Sequence, residues 1–232
     1  MLNYNDIKQI HIELSSHCNA ACPQCVRNVD GGLLAPNLKL NSLSLVDIKK
    51  IFSVNFLQQI RIINLCGNYG DPIMCKDMYE IVHYIMSANK NIYLYIKTNG
   101  GARDTDFWTK LGKFSAENKW IMVVFGIDGL EDTQAIYRIG TDYEKIIENA
   151  RAFILAGGRA EWAFIRFKHN EHQLESCRKL SEELKFKGFS EKQSSRFKDS
   201  NGLIVRDKHG YETYRIEPST TSKLTYIKNI DY

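Results

Sequence analysis

IHIELSSHCNAACPQC, residues 10–25, runs from a short β-rich segment into a polar loop that places Cys18, Cys22 and Cys25 within eight positions. A strand that ends in such a loop raises the question of what the rest of the chain builds around it. IRIINL (60–65), IYLYIK (92–97), IMVVFGI (121–127) and EWAFIRF (161–167) repeat the strand pattern, with SSRF (194–197) as a weaker sixth. Their β-branched and aromatic density, with little alternation, is that of strands buried on both faces.

Helix-period segments lie between the strands. Ser44 with Asp47 three residues later is a capping-box pattern, and Leu45, Ile48, Ile51 and Phe52 then form one apolar face. Met78, Ile81, Val82, Ile85 and Met86 repeat the spacing in a second helix, and Phe107, Leu111 and Phe114 in a third. Tyr143, Ile146, Ile147, Ala150 and Ile154 build a fourth that closes at Gly157-Gly158. Leu174, Cys177, Leu180 and Leu184 give a fifth.

Strands alternating with helices imply parallel pairing through right-handed crossovers. Each strand is followed by a polar, mostly glycine-bearing cluster: SSHCNAACPQC, CGNYGDP, TNGG, DGLEDT and KHNEH. Ligand sites in parallel α/β folds gather at the carboxyl ends of strands, and in barrels all strands feed one mouth. Five such ends fit a closed or nearly closed barrel better than a sheet with one switch point. No G-x-G-x-x-G follows any strand, which leaves a dinucleotide site without support.

The 232 residues, 44% hydrophobic and 25% charged, are ordinary for a globular chain, and a formal charge of +4 argues for neither nucleic acid nor membrane partners. The N-terminus lacks a signal-peptide pattern and no apolar run approaches the roughly 20 residues of a membrane span, so a cytoplasmic setting is expected. In a reducing setting, six cysteines read as ligands or inert core thiols. Cys66, Cys75 and Cys177 are expected to be buried thiols. For the three clustered thiols, a structural zinc needs a fourth ligand. His17 adjoins Cys18 in poor chelating geometry, and no second C-x-x-C follows. An iron–sulfur cubane with one iron left open for a small molecule fits better.

C-x-x-x-C-x-x-C directly after a first strand resembles the signature of the radical S-adenosylmethionine (radical SAM) enzymes. The resemblance implies a partial (β/α)6 TIM-like barrel and a [4Fe–4S] cluster held by Cys18, Cys22 and Cys25. It further implies that S-adenosylmethionine chelates the open iron and is cleaved reductively to a 5′-deoxyadenosyl radical that abstracts hydrogen from a substrate. GNYGDP (67–72) is similar to the family's G-G-E-P stretch, whose backbone binds the methionine amino group. That implies cofactor contacts from Asn68, Gly70 and Asp71, with Asp71 a shorter carboxylate than the usual glutamate. Thr98-Asn99-Gly100 resembles a T-N-G segment, which adds Thr98 and Asn99. GIDG (126–129) is similar to S-I-D-G in members that modify peptides, with Gly126 at the serine position. Ile136-Tyr137-Arg138 resembles a segment whose arginine pairs with the methionine carboxylate. Gln24 stands where an aromatic residue commonly seats the adenine.

Alternatives remain open at single residues. Asp71 is equally suited to cap a helix starting near Pro72, Arg138 to be a solvated helix-end cation, and Asp128 to form a turn. Asp128 also suits a ribose hydroxyl or a salt bridge to Arg138. Residues 1–198 are expected to form the core and 199–232 an extension, with a hairpin over 201–217 turning at 207–210 and no further cysteines.

The resemblance implies an external one-electron reductant of flavodoxin or ferredoxin type. The expected substrate is a peptide or protein side chain, the alternative a nucleotide or small metabolite. A zinc- or cluster-stabilised binding module without turnover is the reading from another class.

Overall fold

The computed structural model describes residues 3–220. The first strand, β1 (Gln9–Ile12), leads into the cysteine loop, which carries a two-stranded ribbon, β2 (Asn28–Val29) and β3 (Leu33–Leu34). Strands β4 (Ile62–Leu65), β5 (Tyr93–Thr98), β6 (Ile121–Gly126), β7 (Ala160–Arg166) and β8 (Gly188–Gln193) then add to β1 in chain order, every pair parallel. β1 and β8 are edges and do not pair with each other. The sheet is therefore an open, partial barrel, which corrects the closed alternative.

Helices cross between successive strands: α1 (Leu45–Ile51) and α2 (Val54–Gln59), α3 (Met78–Ala88), α4 (Thr105–Glu117), α5 (Glu131–Tyr137) and α6 (Tyr143–Leu155), then α7 (Leu174–Glu183). The capping box at α1 forms as expected: Ser44 Oγ accepts from Asp47 N–H at 3.2 Å, and Asp47 Oδ2 accepts from Ser44 N–H at 2.9 Å. Ile63, Leu65, Leu94, Ile96, Val123, Phe125, Trp162 and Phe164 are buried on the sheet face that the helices cover. Each such side chain contributes roughly 1.5–3 kcal/mol of burial. Stability resides on that face, which leaves the opposite face free to carry polar groups.

The sixth strand is Gly188–Gln193, not SSRF (194–197). GFSEKQ loses its apolar signal because Glu191 is buried between Arg166 (3.4 Å) and Arg178 (3.3 Å). SSRF instead turns back to the cysteine loop, where Ser194 Oγ donates to Gln24 Oε1 at 2.6 Å and Arg196 Nη1 to Gln24 O at 2.8 Å.

The expected hairpin is present as β9 (Leu203–Arg206) and β10 (Glu212–Ile216), antiparallel. Its Val205 and Ile216 share a small core with Ala20, Cys22, Tyr137 and Phe167, and Arg206 N–H donates to Asp30 O at 2.9 Å. The hairpin is thus seated on the cysteine loop. The part of the expected extension after residue 220 lies outside the described residues. Among those described, no helix is long and apolar enough to cross a membrane.

Candidate active site

A cavity of ≈ 340 Å³ opens at the carboxyl ends of the strands. Cys18, Cys22, Cys25, Asn68, Gly70, Asp71, Thr98, Asn99 and Arg138 all border it, so the fold brings together residues up to 120 positions apart. Asp128 lies directly behind Arg138 and is fully buried.

The three thiols sit on one wall. Cys18 Sγ accepts from Ala20 N–H at 3.3 Å, and Cys25 Sγ donates to Asn68 O at 3.4 Å. Burial pushes the Cys22 thiol up to about 12, against the opposing pull of Arg138. Burial and the Asp71 carboxylate push Cys18 to about 11, against Ala20 N–H and Arg27. Without metal, Cys18 and Cys22 therefore hold their protons near pH 7, and metal loading must displace them. Among the described residues, no three His, Cys, Asp or Glu side chains converge on a point that would hold a single ion. Three thiolates from one loop, bordering an open cavity, are the ligand type and short spacing that iron–sulfur clusters use. The donor set fits a cluster.

Asp71 ties the loops together. Its Oδ1 accepts from Ile73 N–H at 3.0 Å, capping the short turn Pro72–Met74. Its Oδ2 accepts from Thr98 Oγ1, Asn99 N and Asn99 Nδ2, each at 2.9 Å. Burial raises the carboxyl above its ordinary value, and these donors restrain the rise. The same Asn99 amide reaches Asn19 Oδ1 at 2.9 Å, joining the loop after β5 to the cysteine loop. Gly70 is needed for close approach: a Cβ there would lie 2.0 Å from Ser15 O.

Arg138 ends α5, and its Nε donates to Asp128 Oδ2 at 2.7 Å. Asp128 Oδ1 accepts from Ile165 N–H at 2.6 Å, so both carboxylate oxygens are occupied. Burial alone would lower the Arg138 pKa, but Asp128 together with Cys22 and Tyr137 raises it, and the guanidinium stays charged. Burial raises Asp128, and Arg138 opposes it. The guanidinium passes over Gly126, where a Cβ would fall 2.5 Å from Arg138 Nη2. A side chain at Gly126 would have to displace the end of the Arg138 side chain. No described residue accepts from the two Nη atoms, and they remain available to a ligand in the cavity.

The sequence reading missed Glu13, as well as Lys97 and Lys192 on the cavity wall, and misplaced Cys66. Glu13, one residue past β1, accepts from Asn68 N–H at 2.9 and 3.0 Å, Asn68 Nδ2 at 2.7 Å and Tyr69 N–H at 3.1 Å. It clamps the 67–72 loop, and only its place at a strand's carboxyl end hinted at this. Cys66 is half-buried and lines the cavity, with His11 Nε2 2.9 Å from its Sγ. The expectation of a buried thiol holds for Cys75 and Cys177 but not for Cys66.

The Radical SAM superfamily profile matches residues 12–184. No curated protein matches the chain. Among solved structures, Streptococcus suis SuiB bound to S-adenosylmethionine superposes with a TM-score of 0.64 at 17% identity, over 86% of this chain and 44% of that one. The protein anSMEcpe with bound AdoMet superposes with a TM-score of 0.62 at 20% identity, over 81% and 49% respectively. TYW1 with a lysine-pyruvate adduct gives 0.57 at 12% identity, over 85% and 72%. The chain spans about half the length of the first two. At these identities the likeness is one of fold.

Proposed function

The chain belongs to the radical SAM superfamily, enzymes that use a [4Fe–4S] cluster and S-adenosylmethionine, and from that premise we propose that it modifies a peptide or protein side chain. When bound, the cluster and S-adenosylmethionine supply a carbon-centred radical able to remove a hydrogen atom from a substrate. The observation that carries the reading is the cavity itself: three thiols face an arginine fork with unused donors, at the strand ends where such folds bind ligands.

In this reading Cys18, Cys22 and Cys25 hold the cluster. Arg138 presents two parallel N–H groups to the cofactor carboxylate, a geometry that lysine does not offer. The Asn68–Asp71 loop turns backbone toward the methionine amino group. Asp71, Thr98 and Asn99 brace that loop through the bonds among them rather than through a free carboxylate. Asp128 serves Arg138: it is fully buried behind the guanidinium and does not border the cavity.

SuiB has been crystallised with the precursor peptide SuiA and anSMEcpe with a Cp18Cys peptide, which supports a peptide substrate here. The electron comes from an external carrier of flavodoxin or ferredoxin type.

The test is anaerobic reconstitution with iron and sulfide, followed by reductant and S-adenosylmethionine. The expected product is 5′-deoxyadenosine, detected by mass spectrometry even without substrate. Cys22→Ala is expected to abolish both cluster and product. No product from protein that carries four irons and four sulfides would overturn the assignment.

A further inference from the structure

The cavity holds two cations that the cofactor reading leaves unused. Lys97 on β5 and Lys192 on β8 both line it, with Val124, Ala163 and Ile165 between them. No described carboxylate lies within ion-pair distance of either ammonium, although Lys168, Arg178 and Arg206 all have acidic partners. Asp128 is committed to Arg138, Glu13 to the 67–72 loop, and Glu161 accepts from Ser190 Oγ at 2.6 Å. Lys97 and Arg138 repel Lys192, and its pKa is lowered, first by burial, with Asp128 opposing.

Both ammonium groups reach the open cavity on exposed side chains, so an incoming anion meets them without first breaking an ion pair. In the proposed reading the cofactor carboxylate takes the Arg138 fork, which leaves the two lysines for another anion. We propose that Lys97 and Lys192 form the substrate anion site, and that the peptide enters with a carboxylate placed between them. This rests on the cavity being the reaction chamber of the proposed function. The carboxylate is either an acidic side chain or a peptide C-terminus, which share the same chemistry.

The test uses the cluster- and S-adenosylmethionine-loaded protein under anaerobic conditions, without turnover. Saturation-transfer NMR follows three capped peptides: Ac-Ala-Glu-Ala-NH₂, Ac-Ala-Ala-Ala-OH and Ac-Ala-Gln-Ala-NH₂. At least one carboxylate peptide is expected to bind about tenfold tighter than the glutamine peptide, a preference weakened by salt. Whichever of the first two binds better identifies the source of the carboxylate.

Lys97→Gln/Lys192→Gln is expected to erase the preference while iron content and S-adenosylmethionine affinity stay near those of the unsubstituted protein. Absence of any carboxylate preference at millimolar peptide, or its survival in the double variant, overturns the proposal. So does a variant that loses S-adenosylmethionine instead of peptide, which would make the lysines cofactor ligands. Because binding is read without catalysis, a failure here is separable from a failure to form 5′-deoxyadenosine.

Discussion

Replacing Asp128 by Asn removes one charge and almost no volume, yet the structure predicts a large cost. Asp128 is fully buried, and both oxygens accept: Oδ2 from Arg138 Nε at 2.7 Å, Oδ1 from Ile165 N–H at 2.6 Å. An asparagine amide has one acceptor oxygen, so its NH₂ must face one of these donors. The Arg138 side chain, 16% exposed, is then left nearly desolvated without its counter-charge. Breaking one partner of a buried pair costs about 3–5 kcal/mol. For a chain of this size that lowers the midpoint of thermal unfolding by between about 6 and 20 °C.

The assay is urea unfolding of the metal-free protein, completed as a cycle with Arg138→Met and the double variant. Arg138→Met strands the carboxylate, and Asp128→Asn strands the guanidinium. The double variant strands neither charge, so its loss is expected to fall short of the sum of the singles by at least about 2 kcal/mol. Additivity within about 0.5 kcal/mol, or an Asp128→Asn cost below about 1 kcal/mol, would refute the reasoning.

Glu13→Gln turns an NH₂ toward the backbone donors of Asn68 and Tyr69. It is expected to speed amide exchange at those two residues and to weaken S-adenosylmethionine binding about tenfold. Because the Glu13 side chain is 28% exposed, global stability should fall by less than about 1 kcal/mol, as urea unfolding would report.

The metal-free protein is also expected to lose stability in alkali. Burial pushes the Cys22 and Cys177 thiols up from 9.0 to about 12, so their contribution is intact below pH 9 and is lost as pH rises toward 12. Each thiol then accounts for about 2 kcal/mol between pH 9 and 10.5. Urea unfolding across that range measures the slope, and Cys177→Ala should make it shallower.

What local sequence determined is what local physics controls. The five strong strands, the α1 capping box and the C-terminal hairpin follow from residue spacing within a few turns or one pleat, and all are found in the structure. The three thiols were legible because a cluster needs ligands at short intervals along one loop, an order of events set by the chain itself. The sixth strand was not legible, because Glu191 is tolerated inside only when Arg166 and Arg178 arrive from β7 and α7 to neutralise it.

Tertiary structure alone decided the remaining roles. Asp71 and Asp128 each had two plausible local uses, and only the approach of Thr98, Asn99, Arg138 and Ile165 showed where their oxygens go. Glu13, Lys97 and Lys192 carry no motif. The lysines matter because parallel strands point alternate side chains into a shared cavity, and Glu13 because the 67–72 loop folds back onto it, juxtapositions that no window of the sequence contains.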